Sequence, residues 1–257
     1  MNVRAQWIAF NAILWKEILR FSRIWVQTIL PPMITTLLYY VIFGKLIGKQ
    51  IGEVSGFAYI DYIVPGLILM AVITNSYGNV VASFYSSKFQ RSIEEMLVSP
   101  LPNYLIVLGF VGGGVARGIA VSIAVMTVTV LFTSIAFHSI WIVISVLLLT
   151  SVLFSLGGLI NAIYAKSFDD ITVVPTFVLT PLTYLGGVFY SVQMLPPFWQ
   201  KLSLANPILY MVNAFRYGLL GVSDVNVGTA FAAIFLFIAA LAWFALYLLG
   251  RGHGVRS

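Results

Sequence analysis

The chain has 257 residues, 60% of them hydrophobic and 9% charged, a formal net charge of +6 and a mean hydropathy of +0.99. Against the roughly 25% charge of an average soluble domain, this composition excludes a water-soluble globule and describes one integral membrane domain with short loops. The basic excess reads as an orientation signal and not as a nucleic-acid surface, and the absence of cysteine excludes disulfides, thiol chemistry and cysteine-ligated metals.

At the N-terminus, Trp7, Phe10, Leu14, Ile18, Phe21 and Trp25 recur at three- and four-residue steps, with Lys16, Arg20 and Arg23 on another face. The pattern predicts an amphipathic helix over residues 1–24, lying on the inner leaflet. The apolar run from Trp7 to Trp15 is short, is interrupted by Asn11 and has no small-residue cleavage pattern behind it, so no cleaved signal peptide is expected. Six stretches then qualify as spans of about 20 mostly apolar residues: 25–43, 62–84, 104–137, 140–165, 171–192 and 227–249. The third is overlong and contains Arg117. Setting that guanidinium at the inner boundary leaves an uncharged crossing over 118–137, with GFVGGGVARG (Gly109 to Gly118) as its interfacial entry.

Two connections carry structure of their own. In KFQRSIEEMLVSPLP, Lys88 to Pro102, Ser92 and Glu95 have capping-box spacing, Met96 and Leu97 continue the helix, and Pro100 stops it. The product is a helix of about two turns within 88–100, read as a solvated turn or as a docking peg. The second reading follows from Ile93, Met96, Leu97 and Val98, which would leave apolar surface on a cytoplasmic knob unless something covered it. Residues 193–221 are too apolar for an aqueous loop and are broken by Pro196, Pro197 and Pro207. They predict two short re-entrant helices dipping in from the outer surface, hinged at Asn206–Pro207.

Basic residues set the orientation. With the N-terminus inside, Arg4, Lys16, Arg20, Arg23, Lys88, Arg91, Lys166, Arg251 and Arg256 are cytoplasmic, while Lys45, Lys49 and Lys201 are outside. An even number of spans returns the C-terminus to the cytoplasm.

No engine is visible in the chain. The nearest approach to a phosphate-cradling loop, GKLIGKQ from Gly44 to Gln50, is one residue short between its glycines and lacks the metal-binding hydroxyl. His138 and His253 stand alone, and Glu17, Glu53, Asp61, Glu94, Glu95, Asp169, Asp170 and Asp224 all fall at expected loops or span ends, which leaves no acidic relay inside a span. Asn75, Tyr77 and Asn79 on the second span, and Thr180, Thr183 and Tyr184 on the fifth, are polar or amphipathic residues at membrane depth. They either line a translocation path or bond to neighbouring helices. Gly109/Gly113 and Gly114/Gly118 repeat at the spacing of close helix packing.

Several stretches, in this order and spacing, carry a resemblance that extends over essentially the whole chain. They are RIWVQTILPP (Arg23 to Pro32), YIVPGLILMAVITNSYGNV (Tyr62 to Val80), the Lys88–Pro102 segment, GFVGGGVARG, FDDITVVPTFVLTPLTYLGGVFYS (Phe168 to Ser191) and LPPFWQKLSLANPILYMVNAFRYG (Leu195 to Gly218). The chain resembles the ABC-2 type permeases, the membrane halves of bacterial ATP-binding-cassette exporters. The resemblance implies an all-α fold of six transmembrane helices in the inner membrane, both termini cytoplasmic, with an interfacial N-terminal helix and re-entrant outer helices. It also implies a homodimer, in contact with lipid, served by two copies of a separate ATPase subunit that binds the ATP and magnesium. Phe89 to Val98 then occupies the position of the coupling helix. Arg91, Glu94 and Glu95 are expected to make polar docking contacts, with Phe89, Ile93, Met96 and Leu97 entering a groove of the ATPase. Asp169 and Asp170, in KSFDD, either touch the ATPase or form a local salt bridge. A self-sufficient channel or secondary carrier is the competing class.

Overall fold

The computed structural model describes residues 2–134, 137–252 and 254, and the backbone alone at residue 45; the expectations for Lys45, His253 and Arg256 therefore lie outside the described side chains. The fold is all-α apart from one small hairpin. Helix α1 (Val3–Arg23) starts on the side chain of Asn2, which accepts the Ala5 N–H at 2.9 Å. Helix α2 (Trp25–Tyr39) runs through a π-helical stretch (Tyr40–Ile47) into α3 (Gly48–Ile51). Strands β1 (Glu53–Val54) and β2 (Phe57–Ala58) pair antiparallel with Val54 opposite Phe57. They turn through Ser55 and Gly56, both at positive φ.

Helix α4 (Tyr59–Phe89) forms the axis of the molecule. At 1.5 Å per residue its 31 residues extend about 46 Å, longer than the hydrocarbon layer of about 30 Å. It packs against α6 (Asn103–Val130), α7 (Ile140–Tyr164) and α11 (Pro207–Leu220). Between α4 and α6 lies the short α5 (Ser92–Val98). After α7 come α8 (Asp170–Val174), a π turn (Pro175–Leu179) and α9 (Thr180–Leu185), then α10 (Pro197–Leu204), α11 and α12 (Val227–Arg251).

Among the described residues, five helices are long and apolar enough to cross a membrane: Trp25–Ile51, Tyr59–Phe89, Asn103–Val130, Ile140–Tyr164 and Val227–Arg251. The expected fifth span, 171–192, is instead a shorter apolar helix, Asp170–Leu185. Its proline content explains the irregularity. Pro175 cannot donate to the Ile171 carbonyl, which accepts the Asn161 amide at 3.3 Å instead, and the Pro175 carbonyl takes both the N–H and the hydroxyl of Thr180. The segment 193–221 does form two short helices, α10 and α11. They join at Asn206, whose side chain caps α11 through the Ile208 N–H at 3.0 Å and donates to the Leu182 carbonyl at 2.6 Å.

The third span differs most from expectation. Helix α6 is continuous from Asn103 to Val130, ending before Phe137, and Arg117 sits midway along it. The glycine-rich run is part of the helix because each pair of glycines admits a neighbour. A Cβ at Gly109 or Gly113 would collide with Ile13 or Glu17 of α1; one at Gly114 or Gly118 would collide with Ser155 and Val80, or with Ser76 and Ser151, on α7 and α4. The two four-residue repeats thus serve two different interfaces on opposite sides of one helix, the small-residue packing that holds helices together in lipid.

Candidate functional site

The first region of interest is the C-terminal end of α4. The chain leaves α4 through Arg91 in the left-handed conformation, φ 60°, and immediately enters α5. Ser92 does not cap this helix; it is the first helical residue, and its hydroxyl donates to the Ser87 carbonyl at 3.1 Å, closing the end of α4. The expected capping pair forms elsewhere. Ser167 Oγ accepts the Asp170 N–H at 3.2 Å, while the Asp170 carboxylate accepts the N–H groups of Ser167 and Lys166 at 3.1 and 2.8 Å. Those donors hold the Asp170 carboxyl below its ordinary pKa. Asp170 is therefore engaged in its own loop, and Asp169 is exposed.

Helix α5 ends at Val98, with Ser99 extended ahead of Pro100, as the residue before a proline requires. Ile93 is 0% exposed, and Met96 and Leu97 pack partly against the core. Ile93 therefore anchors α5 to its own chain and presents nothing to a groove. The outward apolar surface belongs to Phe89 (67% exposed), Val98 (87%) and Phe168, which stacks edge-on against Phe89 at 5.3 Å. Arg91 and Glu95 are exposed and Glu94 partly so. Lys88 ties the C-terminal end of α4 to that of α7, its ammonium donating to the carbonyls of Ile163 and Ala165 at 2.8 and 2.7 Å, while Phe89 meets Phe168. The 88–100 and 166–170 segments thus form one platform. Val98, named with the apolar surface of α5, is its most exposed apolar part, whereas Phe168 escaped the sequence reading because it lies in a turn outside any helical pattern.

The second region is a polar network between α1 and α4, closed on one side by Gly113 of α6. Glu17, expected at a loop-like position, is 0% exposed; it pairs with Arg20 at 3.2 Å and accepts the Ser83 hydroxyl at 2.6 Å. Arg20 also donates to the side chain and the carbonyl of Asn79 at 2.8 and 3.0 Å. Asn79, a candidate path residue, is thus buried in this clamp. The i,i+3 spacing of Glu17 and Arg20 was the sequence signal for it. Tyr77 is buried against α7, near Gly157.

Asn75 alone of the three α4 candidates faces open space. It accepts a hydrogen bond from Arg117 Nη2 at 3.0 Å, and both line a cavity of about 370 Å³ between α2, α4 and α6. Pro31 and Pro32 lie on the same wall. Lacking N–H groups, they leave the carbonyls of Gln27 and Thr28 without their usual helical partners. On the α8–α9 segment, Thr180 is exposed but bonds to its own backbone, and Thr183 is buried and does the same. Tyr184 meets Tyr39, at the edge of this cavity, with their hydroxyls 3.3 Å apart. The structure therefore brings Asn75 and Tyr184 to the α2 side and places Tyr77, Asn79 and Thr183 in packing.

Towards the N-terminal end of α4, Arg216 of α11 is almost wholly buried. It donates to the Gly187 carbonyl at 2.6 Å and lies 4.0 Å above the Tyr62 ring, joining α11, α4 and the chain after α9. Asp224 supports the same region, accepting the Ser191 hydroxyl and the Val192 N–H at 2.8 and 3.0 Å.

The ABC-2 type transporter family model matches residues 8–220. The chain is 57% identical, over 252 residues and 98% of each chain, to the inner membrane transport permease YadH of Escherichia coli K12 and, at the same identity and coverage, to YadH of Shigella flexneri. It is 25% identical over 249 residues, covering 95% of this chain and 93% of the relative, to nodulation protein J of Neorhizobium galegae. With five helices fit to span a bilayer, glycine-mediated packing between them and a family match over most of its length, the chain belongs to the ABC-2 type transporters.

Proposed function

We propose that this chain is the inner-membrane permease subunit of an ATP-binding-cassette exporter, working as a homodimer driven by two copies of a separate ATPase. In this reading six segments span the membrane, Asp170–Leu185 being the short fifth, α10 and α11 re-enter from outside, and both termini are cytoplasmic. The chain itself hydrolyses nothing; ATP and magnesium belong to the partner. Observation of α5 as a buried-anchored, two-turn helix that follows the longest span after a two-residue turn supports this reading most directly. Ile93 ties α5 to the body while Phe89 and Val98 stand outside it, so a push on the outer face is transmitted into α4 without deforming α5. Lys88 joins the C-terminal end of α7, and Phe89 the 166–170 loop, to the same platform, extending the push to α7 and α8.

Co-purification tests the proposal. A cassette ATPase should follow the wild-type chain through detergent extraction and be lost on combined replacement of Phe89, Glu95 and Val98 by Ser, Ala and Ser. Transport of solute uphill by the purified chain alone in liposomes would overturn it in favour of a self-sufficient carrier.

A further inference from the structure

The structure leaves one cation in a position that packing does not explain. Arg117 lies midway along α6, opposite Asn75, itself midway along α4. Its single described hydrogen bond is to Asn75, its Nε is buried without a partner, and among the described residues no carboxylate lies within ion-pair distance. Glu17, the one buried acid on this side, is already engaged by Arg20 and Ser83. The charge that bears on Arg117 is Arg20, of like sign. An uncompensated guanidinium within a membrane-spanning helix is costly and marks a pathway or ligand by default.

Its surroundings define the ligand. Arg117 lines the cavity between α2 and α4, whose walls alternate apolar surface (Pro32, Leu67, Met70) with hydroxyl and amide groups (Gln27, Thr36, Thr74). A guanidinium recognises phosphate or carboxylate through paired N–H donors, and the apolar wall suits an acyl or prenyl tail. Arg117 and Asn75 sit midway along their helices, so an anionic headgroup bound there lies about 20 Å from either helix end. We propose that this groove binds an amphiphilic cargo in transit, with Arg117 recognising its phosphate or carboxylate. That assignment rests on the export reading for the direction of travel; the anion site itself does not.

Purified full-length chain is irradiated with two probes carrying the same photoreactive acyl chain, phosphatidic acid and diacylglycerol, which differ only in the phosphate. Adducts are mapped by peptide mass spectrometry. Phosphatidic acid should label the α2–α4 groove about tenfold more than diacylglycerol, as expected for a charge-assisted bond. Arg117→Gln should abolish the preference and Arg117→Lys should restore part of it, while Arg91→Gln leaves it intact. Met70→Trp, which fills the apolar wall without touching the cation, should reduce labelling by both probes. Equal labelling by the two probes, or a preference that survives Arg117→Gln, would overturn the site. So would a groove that stays unlabelled while Arg117→Gln alters the oligomeric state, because the cation would then serve a seam between copies. With the ATPase bound, ATP should release the phosphatidic acid; retention through turnover would overturn the cargo assignment and identify a resident lipid. Loss of ATPase binding in α5 variants leaves the labelling preference untouched, so the two proposals fail separately.

Discussion

Replacing Glu17 by Gln removes one negative charge from the clamp between α1 and α4 while preserving its shape. The carboxylate receives Arg20 at 3.2 Å and Ser83 at 2.6 Å. Glutamine keeps an acceptor for Ser83, so the variant isolates the charge on Arg20. A hydrogen bond to a charged group contributes about 1.5–3 kcal/mol, and breaking a fully buried pair costs about 3–5 kcal/mol. Arg20, however, is 30% exposed and retains both bonds to Asn79. Solvent screening therefore lowers the expectation to about 1–2 kcal/mol. Glu17→Ala, which also strands the Ser83 hydroxyl, should cost about 3 kcal/mol. The assay is reversible unfolding in mixed micelles of rising denaturing-detergent fraction, run as a double-mutant cycle with Arg20→Gln. Coupling of about 1 kcal/mol or more is expected. Additive effects of the two replacements would refute the argument, showing that α1 is held by its glycine contacts alone.

Three further outcomes follow from the packing. Gly118→Ala places a methyl group against the Ser76 and Ser151 hydroxyls and should destabilise by about 1–3 kcal/mol; Gly78→Ala, where nothing lies within 4 Å, should be neutral or stabilising by up to about 1 kcal/mol. The same titration measures both. Ile93→Ala should cost about 2–5 kcal/mol because its side chain is wholly buried, whereas Phe89→Ser and Val98→Ser should leave the unfolding midpoint within about 0.5 kcal/mol and reduce only ATPase co-purification. Arg216→Met strands the Gly187 carbonyl and removes the cation from the Tyr62 ring, for an expected loss of about 2–4 kcal/mol; Arg216→Lys recovers part of it, and a midpoint unchanged by either would refute the clamp.

Hydropathy by itself determined that this chain lives in a bilayer. It located five long helices to within a few residues at most ends, and the proline and glycine positions announced the two short helices after the fifth segment and the short helix between α4 and α6. The repeats at Gly109/Gly113 and Gly114/Gly118 announced close packing, but not that one faces α1 and the other α4 and α7. Lipid and protein interior are equally apolar, so hydropathy cannot separate a lipid-facing side of a helix from a packed one. For that reason Ile93 read as outward and proved to be the anchor of α5. Glu17 read as a terminal charge and proved to be buried. Arg117 read as an interfacial cation, and nothing in its own helix announced its bond to Asn75 of α4. Charges at depth are permitted only by what surrounds them, and those surroundings come from segments far apart in the chain. Only the tertiary structure could bring Arg20 to Asn79, Arg117 to the α2 groove and Arg216 to Gly187.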